Sequence, residues 1–113
     1  MENINFEDGL EKAKGVELAK LASYAEGAIV SRTLLDTEAG SMTLFAFAQG
    51  QKLSEHSAPF DAAVQILDGA AEITVAGNLN KLSKGDFIIM PANVPHALKA
   101  PENFKMLLTM IKA

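Results

Sequence analysis

The side chains best suited to chemistry in this chain of 113 residues are its two histidines, His56 and His96. A neutral imidazole near pH 7 can accept or donate a proton, and its ring nitrogens are common ligands of transition metals. The chain contains no cysteine, which excludes disulfides and thiolate metal sites. His56 and His96 are therefore the candidate catalytic residues and the candidate metal ligands.

Short apolar runs separated by turn residues must position these histidines. The runs cover residues 28–35, 42–48, 64–67, 71–75, 79–82, 87–90 and 104–111. Strands that recur at a spacing of roughly 8–12 residues, with turns between them, are typical of a β-sandwich or barrel. The pair Asp68-Gly69 lies between two apolar runs, which predicts a β-hairpin at that point. The sequence therefore predicts a single all-β domain.

Residues 1–27 carry a weaker pattern than the rest of the chain. The stretch from Asn5 to Lys12 could form a helical turn, although Gly9 and Gly15 both weaken it. The stretch from Val16 to Tyr24 is compatible with a short helix or with an edge strand. Both alternatives remain open at this level.

The composition limits the classes of partner. The formal net charge is −4 and no cluster of lysine or arginine occurs, which argues against nucleic acid and anionic membrane surfaces as partners. No apolar run approaches the roughly 18 residues that a spanning helix needs. The polar and acidic N-terminus does not fit a secretory signal, so we expect a cytoplasmic protein.

Two stretches of the chain resemble the motifs of the cupins, which are small double-sheet β-barrels of the jelly-roll type. The first cupin motif reads G-x5-H-x-H-x3,4-E-x6-G. Its positions are occupied here by Gly50, His56, Ala58, Ala62 and Gly69. The frame is therefore kept, whereas alanine replaces the second histidine and the glutamate.

The second cupin motif reads G-x5-P-x-G-x2-H-x3-N and is also partly kept. Its positions are occupied here by Gly85, Pro91, Asn93, His96 and Ala100. Asn93 tolerates the left-handed backbone conformation that the motif's second glycine adopts, so we expect the turn to keep its shape. Both motifs occur in order and inside a β-rich pattern, and together they resemble a small single-domain bacterial cupin with a degenerate metal motif.

The resemblance implies a jelly-roll barrel over residues 28–113. It also implies that segment 1–27 is a short helix or a strand exchanged within a homodimer. A cupin metal would lie at the barrel mouth, held by the residues at positions 56, 58, 62 and 96. Only His56 and His96 can serve there, and the candidate ions are divalent Zn, Ni, Fe, Mn or Cu.

The replacements at positions 58 and 62 enlarge the expected pocket as well as removing its charge. On a regular strand, residues 56 and 58 would face the same way. The pocket residues that we expect are His56, Ala58, Ala62, Val64, Ile66 and His96. For a third metal ligand the local candidates are Glu55, Asp61 and Gln65. On a regular strand Glu55 and Gln65 are out of phase with the pocket, whereas a turn at Pro59 could bring Asp61 inward.

Three functions are compatible with this pocket. The first is a small-molecule-binding cupin of unknown specificity. The second is an oxygenase- or isomerase-like enzyme that depends on a divalent metal held by two histidines. The third is a metal-free isomerase or epimerase in which a histidine transfers a proton. A homodimer is expected in each case, because a barrel of this size has exposed strand edges.

Overall fold

The computed structural model describes residues 9–112, which form eight β-strands and one turn of 3-10 helix at Leu18–Lys20. The strands are β1 (Ile29–Thr37), β2 (Gly40–Phe47), β3 (Lys52–His56), β4 (Asp61–Val75), β5 (Asn78–Ser83), β6 (Phe87–Met90), β7 (His96–Lys99) and β8 (Phe104–Ile111). The predicted all-β domain is confirmed. Within residues 9–112 no helix has the length and hydropathy that crossing a bilayer requires.

The strands form the two sheets of a jelly-roll barrel, and all of their pairings are antiparallel. Sheet A has the order β1-β2-β8-β4-β6, and sheet B has the order β5-β4-β7-β3. The long strand β4 belongs to both sheets. Its first half pairs with β6 and β8, and its second half pairs with β5 and β7.

The hairpin predicted at Asp68-Gly69 is wrong, because β4 passes from sheet A to sheet B at this point. The strand runs through these two residues without reversing, and its register against β8 shifts between Ile66 and Asp68. Gly69 has a φ of 70°, and a Cβ at this position would overlap the carbonyl oxygen of Asn103. Asp-Gly therefore marks a β-bulge that redirects one strand from sheet A into sheet B.

The core lies between the two sheets because side chains alternate between the faces of each strand. Val64 and Ile66 point inward from β4, and Phe47 stacks on Phe104 with ring centroids 4.5 Å apart. Leu98 contributes to the same cluster from β7. Burial of this cluster fixes which residues of β7 face the interior, and this determines where His96 points.

The segment from residue 9 to residue 28 covers the outer face of sheet A. Its apolar side chains, including Leu18 and Leu21, pack against a second cluster that contains Leu44. Two polar contacts add to this packing: the Tyr24 hydroxyl donates to Asp68 Oδ2 at 2.5 Å, and Lys105 Nζ donates to the carbonyl of Ala19 at 2.6 Å.

The helix or strand expected between Val16 and Tyr24 is reduced to the three-residue 3-10 turn. The helical turn expected from Asn5 onwards falls largely outside the described residues. Exchange of the N-terminal segment between two copies, and the division of the chain at residue 27, remain predictions.

Candidate functional site

The structure brings the two histidines together as neighbours on adjacent strands. His56 at the end of β3 is in register with His96 at the start of β7. Their Nε2 atoms lie 3.1 Å apart, and the ring centroids lie 4.3 Å apart with an interplanar angle of 68°. The pairing of His56 with His96 thus follows directly from the β3–β7 register.

The two rings differ in their exposure to solvent. His96 is 6% exposed and shares the inward face of β7 with Leu98, two residues further along. His56 ends its strand and is exposed. The pair therefore spans the boundary between the barrel interior and solvent, with the ring of His96 on the buried side.

Backbone carbonyls orient both rings through their other nitrogens. Nδ1 of His56 lies 2.7 Å from the carbonyl oxygen of Ser54, and Nδ1 of His96 lies 3.2 Å from that of Val94. A shift in the β3–β7 register between Leu53 and His56 gives the Ser54 carbonyl this position. Because a carbonyl can only accept a hydrogen bond, each contact favours the tautomer with its proton on Nδ1.

These contacts leave no proton for a hydrogen bond between the two Nε2 atoms. Hydrogen bonds to two carbonyls and one between the Nε2 atoms need three protons, whereas two neutral imidazoles carry only two. With both Nδ1 atoms donating, two Nε2 lone pairs face each other at 3.1 Å. A third proton, a cation or a hydrogen-bond donor from a ligand would fill this gap.

Burial decides which protonation state of His96 is favoured. Desolvation lowers the pKa of His96, and the neighbouring His56 lowers it further, against an opposing effect of the Val94 carbonyl. His96 is therefore neutral at pH 7, and the gap between the rings is not filled by protonation of this ring.

The turn that leads into β7 is held against the segment after β3. The amide of Asn93 donates to the carbonyl of Ala58 at 2.7 Å, and the amide of Ala92 donates to Asp61 Oδ1 at 2.9 Å. Asn93 has a φ of 63°, which confirms the left-handed conformation expected from the sequence. These bonds fix the start of β7 relative to the end of β3, and hence the two histidines.

Comparison with known proteins places this fold in a family. The family model of the cupin domain matches residues 43–112. The chain belongs to the cupin family. No protein of curated function matches this cupin.

Solved structures support the assignment over nearly the whole chain. A conserved protein of unknown function from Streptococcus pyogenes is 39% identical, with a TM-score of 0.88 over 100% of this chain and 96% of that one. A cupin superfamily protein from Desulfitobacterium hafniense is 30% identical, with a TM-score of 0.86 over 93% of this chain and 96% of its own. A cupin 2 conserved barrel domain protein from Leptotrichia buccalis is 43% identical, with a TM-score of 0.82, and it matches 84% of this cupin over 46% of its own length.

The four-ligand metal arrangement implied by the family does not fit this cupin. Among residues 9–112 no group of three or more His, Asp or Glu side chains converges on one point. Asp61 instead accepts the hydrogen bond from Ala92, and Gln65 lies exposed opposite Phe87 in the β4–β6 pairing. Only a two-nitrogen arrangement remains, formed by Nε2 of His56 and Nε2 of His96.

The expected pocket residues fall into two groups. Ala62, Val64 and Ile66 point inward, are buried at 4%, 0% and 1% exposure, and are all packed within the main core cluster. Ala58 is half-buried but lies beyond the end of β3 at His56, so it does not share the strand face that the sequence predicted. A ligand at the histidines reaches Val64 and Ile66 only where core side chains rearrange. All of these residues remain predictions as ligand contacts.

Sequence reasoning missed the groups that orient the two rings. The carbonyls of Ser54 and Val94 carry no side-chain signature, and the bulge in β3 leaves no glycine or proline to mark it. The hydrogen bond that Asp61 accepts from Ala92 could have been predicted from sequence, because a carboxylate beside a proline turn is a common acceptor for backbone amides.

Proposed function

We propose that this cupin is a small-molecule-binding protein whose site is organised by the His56–His96 pair. The observation that carries the proposal is the 3.1 Å approach of two Nε2 atoms whose partner nitrogens are already held by carbonyls. Two acceptors facing one point attract a ligand group that bears a proton or a positive charge. Hydroxyl and ammonium groups of small metabolites have this property.

The surroundings of the pair strengthen a hydrogen bond from a ligand. His96 lies in a largely apolar interior, where a hydrogen bond is electrostatically stronger than in water. The exposed ring of His56 keeps the site accessible from solvent. Ala58, two residues beyond His56, is half-buried and carries only a methyl side chain.

A divalent metal ion is the second candidate occupant of the pair. Two nitrogen ligands of one tetrahedral Zn²⁺ stand about 3.3 Å apart, given the usual Zn–N distance. The observed 3.1 Å is close to this, and carbonyl acceptors on Nδ1 are typical of metal-binding histidines. His56 and His96 would hold the ion and a small molecule would complete its coordination. A bound ion would supply Lewis acidity.

Metal-free proton transfer is the weaker alternative. A neutral His96 could act as a base at pH 7 because its pKa is lowered. However, a histidine base is usually strengthened by a carboxylate, whereas the groups that orient these rings are the neutral carbonyls of Ser54 and Val94. This arrangement favours binding over catalysis.

The test measures occupancy of the pair directly. His56 and His96 are the only histidines, so the imidazole ¹⁵N spectrum of the full chain reports this site alone. We expect both rings to show a protonated Nδ1 in chelator-treated protein. A panel of small amines and hydroxylated compounds, each with and without Zn²⁺, is then screened by thermal shift, since a ligand of the native state raises its stability.

The outcomes separate the candidates. Stabilisation without Zn²⁺ and without consumption of the compound supports the binding protein, provided that it is lost in the His56→Ala/His96→Ala variant. Stabilisation that requires Zn²⁺ supports the metal candidate, and consumption of a compound after chelation supports proton transfer. Equal stabilisation of wild type and double variant would place the ligand elsewhere and refute the proposal.

We also propose that the chain forms a homodimer. Among the described residues, β6 lies at an edge of sheet A, where it pairs only with β4. Its outer face presents Phe87 and Ile89, which are 58% and 57% exposed. An apolar edge strand of this kind is protected in many proteins by a second copy of the chain.

A further inference from the structure

A row of charged side chains crosses the outer face of sheet B. The pairings place Lys52 of β3 opposite Lys99 of β7, Lys99 opposite Glu72 of β4, and Glu72 opposite Lys81 of β5. Directly paired residues point to the same face of a sheet, so these four side chains are lateral neighbours. The row holds three positive charges and one negative charge, in a chain whose formal net charge is −4.

The lysines of this row form no ion pair with a carboxylate among the described residues. Within residues 9–112, ion pairs shorter than 4.0 Å are formed only by Lys20 with Glu17 and by Lys112 with Asp36. Glu72 therefore lies beside Lys99 and Lys81 without a direct contact to either. Like charges directly opposite each other destabilise a sheet, so an anion held between Lys52 and Lys99 would relieve repulsion that Glu72, on the far side of Lys99, does not reach at Lys52.

An open cavity of about 400 Å³ lies over the same face. Lys52, Lys99 and Glu72 border it, together with Thr74, Ala97 and Leu79. Ala97, Thr74 and Leu79 form the next row of the sheet, and Leu79 is 54% exposed. The cavity thus combines two adjacent ammonium groups with an apolar patch beside them.

We propose that this cavity binds a small organic anion, with its carboxylate between Lys52 and Lys99 and its apolar body over Ala97 and Leu79. Charge-assisted contacts from two lysines fit a carboxylate, and the exposed leucine favours a ligand that also has an apolar part. The ammonium groups lie on the opposite face of β7 from His96, because Ala97 and Lys99 are on the outer face whereas the side chains of His96 and Leu98 are buried. This site therefore goes beyond the proposed function.

The test uses benzoate as the amphipathic anion, benzyl alcohol as its neutral counterpart and inorganic phosphate as an anion without an apolar part. Each is titrated into the ¹⁵N-labelled full chain, and the backbone amide shifts are followed. Benzoate should give saturable shifts confined to β3, β4, β5 and β7 at millimolar concentrations, whereas benzyl alcohol and phosphate should bind at least about tenfold more weakly.

Matched variants separate this site from general charge effects. Lys52→Gln/Lys99→Gln should weaken benzoate binding at least about tenfold, whereas Lys12→Gln/Lys84→Gln removes the same charge from other exposed positions and should leave it unchanged. Leu79→Ser should weaken binding of benzoate more than that of phosphate. The thermal unfolding midpoint of each variant establishes that it is folded.

Four results would overturn the proposal. The first three are equal benzoate affinity in wild type and Lys52→Gln/Lys99→Gln, shifts centred on the histidines or on sheet A, and the absence of saturation in wild type. The fourth is phosphate binding as tight as benzoate binding, which would reject a ligand with an apolar part.

Discussion

At the scale of single residues, His96 combines burial with a partner that cannot satisfy it alone. Its Nδ1 has the Val94 carbonyl, but its Nε2 meets the Nε2 of another imidazole. A buried polar atom without a matched partner costs free energy, and proteins keep such atoms mainly at functional sites. This mismatch supports the binding site that we propose at the pair.

The lowered pKa of His96 predicts how stability depends on pH. The native state binds a proton on His96 less readily than the unfolded state does. The contribution of neutral His96 to the free energy of unfolding is therefore fully present above the unfolded pKa of about 6.5. It is lost as pH falls through the lower native pKa. Urea unfolding of chelator-treated protein between about pH 7.5 and 5.5 should show this decrease. His96→Gln should remove that part of the slope, and an identical slope in the variant would contradict the assignment.

The positions of the two histidines could be predicted from sequence, whereas the orientation of their rings could not. The cupin motif frame identifies His56 and His96 as one site, and the structure pairs them through the β3–β7 register. Alanine at positions 58 and 62 removes two of the motif's four metal ligands, which the sequence shows directly. The tautomer of each ring could not be predicted, because it depends on the carbonyls of Ser54 and Val94, which only the folded backbone brings to Nδ1.

At the scale of elements, strands were predicted correctly where apolar runs are bounded by turn-forming residues such as glycine and proline. The runs 87–90 and 104–111 coincide with β6 and β8. The error at Asp68-Gly69 has a physical cause: Gly supplies a positive φ to a bulge as readily as to a hairpin turn. Local sequence does not distinguish the two, because the difference lies in the contact of Gly69 with Asn103, which is distant along the chain.

Gly69→Ala tests the bulge as the element that redirects β4. The added Cβ would meet the backbone of Asn103 and Phe104 in addition to the strain of a positive φ. We expect a loss of more than about 2 kcal/mol in the free energy of unfolding. Gly77→Ala is the matched control, because its φ is 80° but a Cβ there has open space, so about 1 kcal/mol is expected. Equal losses in chemical denaturation would show that the Asn103 contact is unimportant.

The N-terminal segment gives a second test at this scale through Tyr24, the sole tyrosine in a chain without tryptophan. Burial raises the pKa of Tyr24 strongly, and its hydrogen bond to Asp68 adds to the effect. The contribution of protonated Tyr24 to the free energy of unfolding is therefore fully present below the unfolded pKa of about 10. It is lost as pH rises through the higher native pKa. Near-ultraviolet titration should show tyrosinate forming at higher pH in the native than in the denatured chain.

The carboxylate partner of Tyr24 supplies the control. Asp68→Asn should lower the native titration midpoint, whereas Glu38→Gln, a change at an exposed carboxylate that does not contribute to the Tyr24 pKa, should not. Titration of native Tyr24 at the same pH as in denaturant would argue against the packing of the segment on sheet A.

At the scale of the whole molecule, the predicted homodimer can be tested at β6. Phe87→Glu places a charge on the exposed edge and should shift the molar mass in light scattering from dimer toward monomer. Leu79→Glu is the matched control, because Leu79 is similarly exposed but lies on sheet B. A monomeric wild type at all working concentrations would reject the dimer, and equal effects of both variants would reject β6 as its interface.

The passage of β4 through both sheets has a consequence for how the domain folds. Within the described residues the strand pairings connect sheet A to sheet B only through this one strand. Its pairing of Asp61 with Ile111 also joins distant parts of the chain, a kind of contact that forms slowly. The sheets therefore constitute one cooperative unit. The histidine pair joins residues 40 positions apart in sequence, so the proposed binding site forms only together with the β3–β7 pairing of the folded barrel.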